Sequence, residues 1–186
     1  MQITASHLLM KLSYNSITSA LFFILLMLSN SARSDYPVAP DFTLPTQDNP
    51  IQLSTLQGKL VYVDFWASWC RPCKTSFPWM ISMKEKYKDQ GFEIVAINLD
   101  KDKALADEFI KSQAVNFPIA FNPSADIAEK YGVEGMPSSY LVYADGRLRI
   151  RYTGFWNKRK AEKEQMIKTL LQQMKNTLHQ TDLVEE

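Results

Sequence analysis

The only two cysteines of the chain, Cys70 and Cys73, are separated by two residues and stand at the start of a helical pattern. Two thiols at this spacing in the first turn of a helix can close a small disulfide ring without unfolding the protein. Backbone N–H groups and the positive end of the helix dipole favour the thiolate of the first cysteine over its thiol. The pattern therefore predicts a dithiol capable of thiol–disulfide exchange.

Two strands and a helix are predicted to position this dithiol. Residues 60–66 form an apolar run rich in valine and aromatic residues, which is typical of a strand buried on both faces. Asp64 is out of place within it. Residues 70–88 change to helical periodicity, and residues 92–99 form the next apolar strand. This order predicts parallel pairing of the two strands with a right-handed crossover.

The remainder of the chain is predicted as further short elements. Strands are expected at residues 41–44, 51–53, 117–121, 138–143 and 147–153, and helices at residues 103–112, 124–131 and 158–179. Leu105 is expected to face the core, and Ser124 to cap its helix. The apolar stripe of the last helix comprises Ala161, Met166, Ile167, Leu170, Leu171 and Met174.

Three arginines, Arg147, Arg149 and Arg151, alternate with apolar residues in the last predicted strand. The alternation indicates one solvated face of an edge strand, where positive charge discourages pairing with another chain. A docking site for an acidic partner is the alternative.

Composition limits the classes of function. The 186 residues, 46% hydrophobic and 22% charged, suffice for one domain with a sizeable core. A formal net charge of +1 indicates no nucleic-acid partner and no strongly acidic surface. The only histidines, His7 and His179, lie far from the cysteines in sequence, and a zinc site needs about four ligands. We therefore expect no metal.

The first 34 residues have the pattern of an export signal. Lys11 and the amino terminus supply positive charge, residues 17–28 form an apolar run, and residues 31–34 are mostly small. The run is shorter than the ~20 residues that a membrane-spanning helix needs. We expect residues 1–34 to be a cleaved signal peptide, and residues 35–186 to form the domain of a periplasmic or otherwise exported protein. An uncleaved membrane anchor is the alternative.

The order of elements, with the motif WCRPC at residues 69–73 after a buried strand, resembles the thioredoxin fold. Three further features are similar to the exported redoxins of the TlpA/ResA/DsbE family. They are the signal, the segment APDFTL at residues 39–44, and an extra strand–helix segment between Leu99 and Gly132. The motif VEGMPS at residues 133–138 supports the same resemblance, because in this family such a loop places a cis proline opposite the dithiol.

This resemblance covers residues 38 to about 175. It implies an α/β three-layer fold, in which helices flank a central mixed sheet with an N-terminal strand extension and a strand–helix insertion. It also implies an exported thiol–disulfide oxidoreductase that acts as a monomer without a cofactor. Its partners would be disulfides of substrate proteins, which it more often reduces than oxidises, and a membrane thiol donor that re-reduces it.

The resemblance implies roles for three residues of the dithiol site. Cys70 would attack a substrate disulfide as a thiolate, and Cys73 would resolve the mixed disulfide. Asp64 matches a buried carboxylate of thioredoxin, and burial would raise its pKa and suit it to accept the proton of Cys73. The alternative for Asp64 is a carboxylate that is simply paired, for example with Lys59 or Lys74.

Five further residues are expected to face the substrate or to tune the thiols. Trp69 would offer a flat apolar surface, and the backbone of Met136 would pair with an extended substrate peptide. Pro137 would keep the dithiol accessible, since a proline has no N–H. Arg71 would favour the thiolate by its charge, and Glu134 would tune proton transfer; both are weaker candidates.

One departure from the family pattern follows the proline. Ser138 and Ser139 stand where the haem-pathway reductases of this family tend to carry an acidic residue or threonine. This difference argues against a role in cytochrome c maturation.

Two rival functions stay open. Residues 39–42 are shared with peroxiredoxins, but Ala67, Ser68 and Trp69 precede Cys70 where a peroxidase carries proline and threonine. The second rival is a binding module that carries Cu(I) on its two thiolates or holds unfolded exported chains. No methionine or histidine lies within the motif to complete a copper site.

Overall fold

A mixed β-sheet of five strands lies at the centre of the part of the chain that the computed structural model describes, residues 36–182. The strands, of which the first two form a separate antiparallel ribbon, are β1 (Thr43–Leu44), β2 (Ile51–Gln52), β3 (Leu60–Trp66), β4 (Phe92–Asn98), β5 (Ile119–Phe121), β6 (Ser138–Val142) and β7 (Leu148–Thr153). The order in the sheet is β5-β4-β3-β6-β7. Strand β3 pairs in parallel with β4 and antiparallel with β6, as the predicted mixed sheet requires. The predicted export segment, residues 1–34, lies outside the described residues.

Helices cover both faces of the sheet. They are α1 (Arg71–Tyr87), α2 (Lys103–Lys111), α3 (Asp126–Lys130) and α4 (Lys160–Asp182). Helices α1, α2 and α4 contribute to the core on one face, and α3 to the core on the other. Within residues 36–182, no helix is both long and apolar enough to span a membrane.

Strand β3 is buried on both faces, as its unbroken apolar run predicts. Side chains alternate along a strand, so its even-numbered and odd-numbered residues face opposite sides of the sheet. The even-numbered apolar residues pack in the core that includes α1 and α4, and the odd-numbered residues pack in the core that includes the ribbon and α3. Asp64 therefore projects toward the side that carries the cysteines.

Two predictions about the helices are wrong. Leu105 is 49% exposed, because α2 is rotated so that Ala106 takes its place in the core beside Ile110. Ser124 does not cap α3, because the helix begins two residues later and its cap residue, Ala125, makes no side-chain bond. The Ser124 hydroxyl instead donates a hydrogen bond to the carboxylate of Asp126.

The prediction of a solvated arginine face on β7 is wrong at Arg149. The N-terminal segment lies along this strand, where Val38 bridges to Arg147. The guanidinium of Arg149 lies 4.4 Å from the ring centroid of Tyr36 and 4.5 Å from that of Tyr143, and its side chain is only 12% exposed. Arg149 therefore stacks between two aromatic rings, an arrangement that suits a planar guanidinium.

Helix α4 buries a stripe that differs from the predicted one at its start. Ala161 is exposed, and Lys163 takes the buried position in that turn. The buried stripe comprises Lys163, Ile167, Leu170, Leu171 and Met174. A lysine thus stands where the helical period calls for an apolar residue.

Candidate active site

Cys70 and Cys73 form a disulfide at the start of α1. Cys70 is the N-cap residue of this helix, and its sulfur accepts a hydrogen bond from the N–H of Cys73 at 3.3 Å. In the reduced protein, that N–H and the helix dipole would stabilise a thiolate on Cys70. Cys70 is 5% exposed and Cys73 is fully buried, so Cys70 is the sulfur nearer the surface.

Asp64 is completely buried on the face of β3 that α1 covers, and Cys73 belongs to the core on that face. The strand register places Asp64 opposite Ser139 of β6, whose hydroxyl donates a hydrogen bond to Oδ1 at 2.7 Å. The other carboxylate oxygen, Oδ2, is buried and has no hydrogen-bond donor among the described residues. One oxygen is thus held in place, and the other is available to take a proton.

Burial raises the pKa of Asp64 to about 7, because the charged carboxylate loses its hydration. The hydrogen bond from Ser139 and the positive charge of Lys163 both oppose this rise. A carboxyl group that titrates near neutral pH can accept a proton and release it again under physiological conditions. The electrostatics of the site therefore suit Asp64 to proton transfer.

The two lysines that were alternatives as partners of Asp64 lie elsewhere. The ammonium of Lys59 is 3.8 Å from the carboxylate of Glu93. The ammonium of Lys74 lies over the ring of Phe109, 5.7 Å from its centroid. The cation that acts on Asp64 is instead Lys163, which the sequence patterns do not single out.

A loop and an exposed tryptophan lie at the same end of β3 as the cysteines. Ser138 pairs with Phe65 near the end of β3, so Pro137 lies level with the point where the chain turns toward α1. The peptide bond between Met136 and Pro137 is cis, as the family resemblance implies. Trp69 is 69% exposed, which leaves its ring accessible to another molecule. Pro137 offers no N–H, so it makes no bond that would close off the sulfurs.

The AhpC/TSA family model matches residues 37–151, which is more than half of the chain. The chain belongs to the AhpC/TSA family.

Relatives narrow this assignment. The thiol-disulfide oxidoreductase ResA of Bacillus subtilis is 38% identical over 117 residues, which are 62% of this chain and 65% of that protein. The ResA of Bacillus thuringiensis is 33% identical over 125 residues, which are 67% of this chain and 72% of that protein. This chain thus spans just under two thirds of the length of the Bacillus subtilis protein.

A solved structure supports the same group. A Chlorobium tepidum protein assigned as a thiol:disulfide interchange protein DsbE is 43% identical, with a TM-score of 0.72. The match covers 73% of this chain and 96% of that one. Within the AhpC/TSA family, the chain is therefore a redoxin of the TlpA/ResA/DsbE group, and the predicted thioredoxin-like fold is confirmed.

This AhpC/TSA-family chain carries a second exposed tryptophan near its dithiol, Trp156, which the sequence patterns do not single out. Its ring lies across Gly154, where a Cβ would come within 2.4 Å of it, and Gly154 has a φ of +75°. The N–H of Gly154 donates to the carbonyl of Pro137 at 2.7 Å, which ties this segment to the cis-proline loop. A shallow groove separates the ring from α1, and its lining comprises Arg71, Pro72, Thr75, Phe155, Trp156 and Asn157.

The two weaker candidates both lie at the surface. Arg71 is the first residue of α1 and is exposed, as is Glu134 in the loop before the cis proline. Their tuning roles stay predictions. Within residues 36–182, no group of three or more histidine, cysteine, aspartate or glutamate side chains comes together that could hold a metal ion.

Replacement of Ser139 by alanine is expected to raise the pKa of Asp64 by about one pH unit. The hydrogen bond from Ser139 stabilises the charged carboxylate, and the alanine variant lacks it. The carboxyl carbon of Asp64, followed by NMR across a pH titration of the oxidised protein, reports this directly. Ser138→Ala is the matched control, since the Ser138 hydroxyl donates to the Gly135 carbonyl instead. A pKa that stays at its wild-type value in Ser139→Ala contradicts the assigned hydrogen bond.

Proposed function

We propose that the protein is an exported thiol–disulfide oxidoreductase that reduces disulfides of substrate proteins. The observation that carries this proposal is the Cys70–Cys73 pair at a helix start, with the buried carboxyl of Asp64 on the same side of β3. The ResA and DsbE names of its relatives support the activity. Export rests on the pattern of residues 1–34.

The reaction begins with the reduced dithiol. The Cys70 thiolate attacks one sulfur of a substrate disulfide; a new S–S bond forms, and the substrate's second sulfur leaves as a thiolate. Asp64 then takes the proton of Cys73. The Cys73 thiolate attacks Cys70, the mixed disulfide breaks, and the first substrate sulfur also leaves as a thiolate. Two electrons pass to the substrate, and the enzyme ends in the Cys70–Cys73 disulfide seen in the structure.

The surface around the dithiol suits an extended protein segment. Trp69 presents an exposed apolar ring, and Met136 precedes the cis proline with its backbone available to a peptide. A thiol donor outside the protein, at the membrane, would return two electrons to the disulfide. The monomeric state expected from the sequence stays part of this proposal.

Insulin reduction in the presence of dithiothreitol tests the activity. The wild-type domain is expected to accelerate precipitation of the insulin B chain, and Cys70→Ser is expected to reduce the rate to that of dithiothreitol alone. Turnover of hydrogen peroxide without insulin reduction supports the peroxidase alternative instead. Stoichiometric Cu(I) binding without insulin reduction supports the metal-carrier alternative.

The reduction potential of the Cys70–Cys73 couple decides the direction of electron flow. A value near that of thioredoxin, about −270 mV, supports a reductase, and a value near that of DsbA, about −120 mV, contradicts it. Equilibration with glutathione or dithiothreitol buffers gives this number for the domain alone.

A further inference from the structure

We propose that Lys163 of helix α4 is a positioning residue for proton transfer, whose buried ammonium holds Asp64 in its charged, proton-accepting form. This inference rests on the proposed function and adds to it a residue from the far end of the chain. Lys163 belongs to neither the cysteine motif nor the cis-proline loop.

The side chain of Lys163 ends inside the protein. The residue is 2% exposed, and its Nζ donates a hydrogen bond to the hydroxyl of Tyr62 at 3.3 Å. The ammonium also lies 4.4 Å from the ring centroid of Tyr152 and 5.3 Å from that of Phe155. The aromatic faces offset part of the loss of hydration by attracting the charge.

Strand geometry links this ammonium to Asp64. Tyr62 and Asp64 are two residues apart on β3, so both side chains project to the same side of the sheet. Tyr62 receives the hydrogen bond from Lys163, and Asp64 receives one from Ser139. Lys163 thus reaches the side of β3 that carries Asp64, through its hydrogen bond to a neighbouring residue of the strand.

The charges around Lys163 can be assigned one by one. The titratable groups that act on it from the elements around it are Asp64 and Tyr62 of β3, Tyr152 of β7, Arg159 of the turn before α4, and Glu162 of α4. Arg159 is half-buried and Glu162 is exposed, and the two pair with each other at 2.7 Å. Of the carboxylates that act on Lys163, only Asp64 is buried.

Packing alone does not explain a lysine at this position. Methionine has a similar length and would fill the aromatic pocket without a buried charge, and apolar replacement of buried charges is often neutral or stabilising. Burial lowers the pKa of Lys163 to about 8, and the carboxylate of Asp64 opposes this fall. The buried charge is therefore unfavourable for folding, and its effect on Asp64 is the function that we assign to it.

The test compares Lys163→Met with Lys168→Met, which removes a lysine from the exposed face of the same helix. In the oxidised protein, NMR titration should show the pKa of Asp64 raised by about one pH unit in Lys163→Met and unchanged in Lys168→Met. The pH midpoint of insulin reduction should move upward with it, so the rate at pH 6.5 falls several-fold and recovers at higher pH. A purely structural role of Lys163 would not move either midpoint.

An unchanged pKa of Asp64 in Lys163→Met overturns the proposal. This titration uses the oxidised protein without substrate, so its outcome is independent of whether the protein reduces insulin. A reciprocal measurement leaves Lys163 in place, which covers the case in which Lys163→Met does not fold. Coupling between two sites is symmetric, so Asp64→Asn should lower the pKa of Lys163 below its wild-type value. A Lys163 pKa that Asp64→Asn leaves unchanged also overturns the proposal.

Discussion

Replacement of Cys73 by alanine is expected to convert the protein into a trap that stays covalently joined to its substrates through Cys70. The thiolate of Cys70 can still attack a substrate disulfide, because the helix start that stabilises it is unchanged. The second sulfur that would release the substrate is absent. Mixed disulfides should therefore accumulate where the wild-type protein shows almost none, visible as adducts on non-reducing gels that dithiothreitol removes.

Burial explains why the two cysteines are not interchangeable in this experiment. Cys73 is fully buried, so in Cys70→Ala the remaining thiol cannot reach a disulfide on another protein. That variant, and the double variant Cys70→Ala/Cys73→Ala, are the matched controls and should carry no adduct. Equal adducts in both single variants would contradict the assigned order of attack. If Cys73→Ala captures no exported protein from cell extracts, protein disulfides are the wrong class of substrate.

The part of the fold that carries the dithiol could be predicted from local sequence. Strand β3 has the bounds that its apolar run predicts, and α1 starts one residue after the predicted start, with Cys70 as its cap. These elements are recognisable because β3 is apolar throughout and the cysteine spacing fixes the helix start. The cis bond before Pro137 could be expected only from the family resemblance, since sequence alone favours trans.

The groups that tune Asp64 could not be predicted in the same way. Ser139 reaches the carboxylate because the register of β3 and β6 places the two residues opposite each other across 75 positions of sequence. Lys163 lies on the same side of the sheet as Asp64 because of the rotation of α4, and one residue of rotation separates the buried Lys163 from its exposed neighbour Glu162. Register and rotation are set by tertiary packing, which no local pattern encodes. The lysine within an otherwise apolar stripe was the one available signal.

The contact of Ser139 also changes the meaning of its departure from the family pattern. Its hydroxyl donates to Asp64, and a threonine at this position could donate the same hydrogen bond. An acidic residue there could not, and its charge would raise the pKa of Asp64 further. The serine therefore keeps the pKa of the Asp64 carboxyl at about 7, which is the range that proton transfer in thiol exchange requires.

Replacement of Asp64 by asparagine is expected to make the enzyme slower and the fold more stable. Asparagine cannot accept the proton of Cys73, so insulin reduction at pH 7 should fall by about 100-fold, the lower end of the contribution of a general base. The loss should lie in the step that resolves the mixed disulfide. Single-turnover kinetics with a fluorescent disulfide peptide would then show normal formation of the mixed disulfide and slow release.

The stability effect has a definite sign. The folded state raises the pKa of Asp64 from 3.8 to about 7, so it binds this proton more tightly than the unfolded state does. The free energy of unfolding therefore falls as the pH rises from about 4 to 7, and the ionised carboxylate destabilises the fold by up to about 4 kcal/mol above pH 7. Asp64→Asn removes this effect, so the oxidised variant should be more stable than wild type at pH 8 and nearly equal to it at pH 4.

Urea denaturation of the oxidised proteins at these two pH values measures the difference, and Asp89→Asn, at an exposed carboxylate, is the control. If Asp64 were kept for its role in the fold, its replacement would lower the free energy of unfolding, because the hydrogen bond from Ser139 would weaken. If Asp64 is kept for proton transfer, its replacement by asparagine slows the reaction and makes the protein more stable. A loss of stability at pH 8 in Asp64→Asn would therefore assign Asp64 to the fold and leave the proton of Cys73 without a known acceptor.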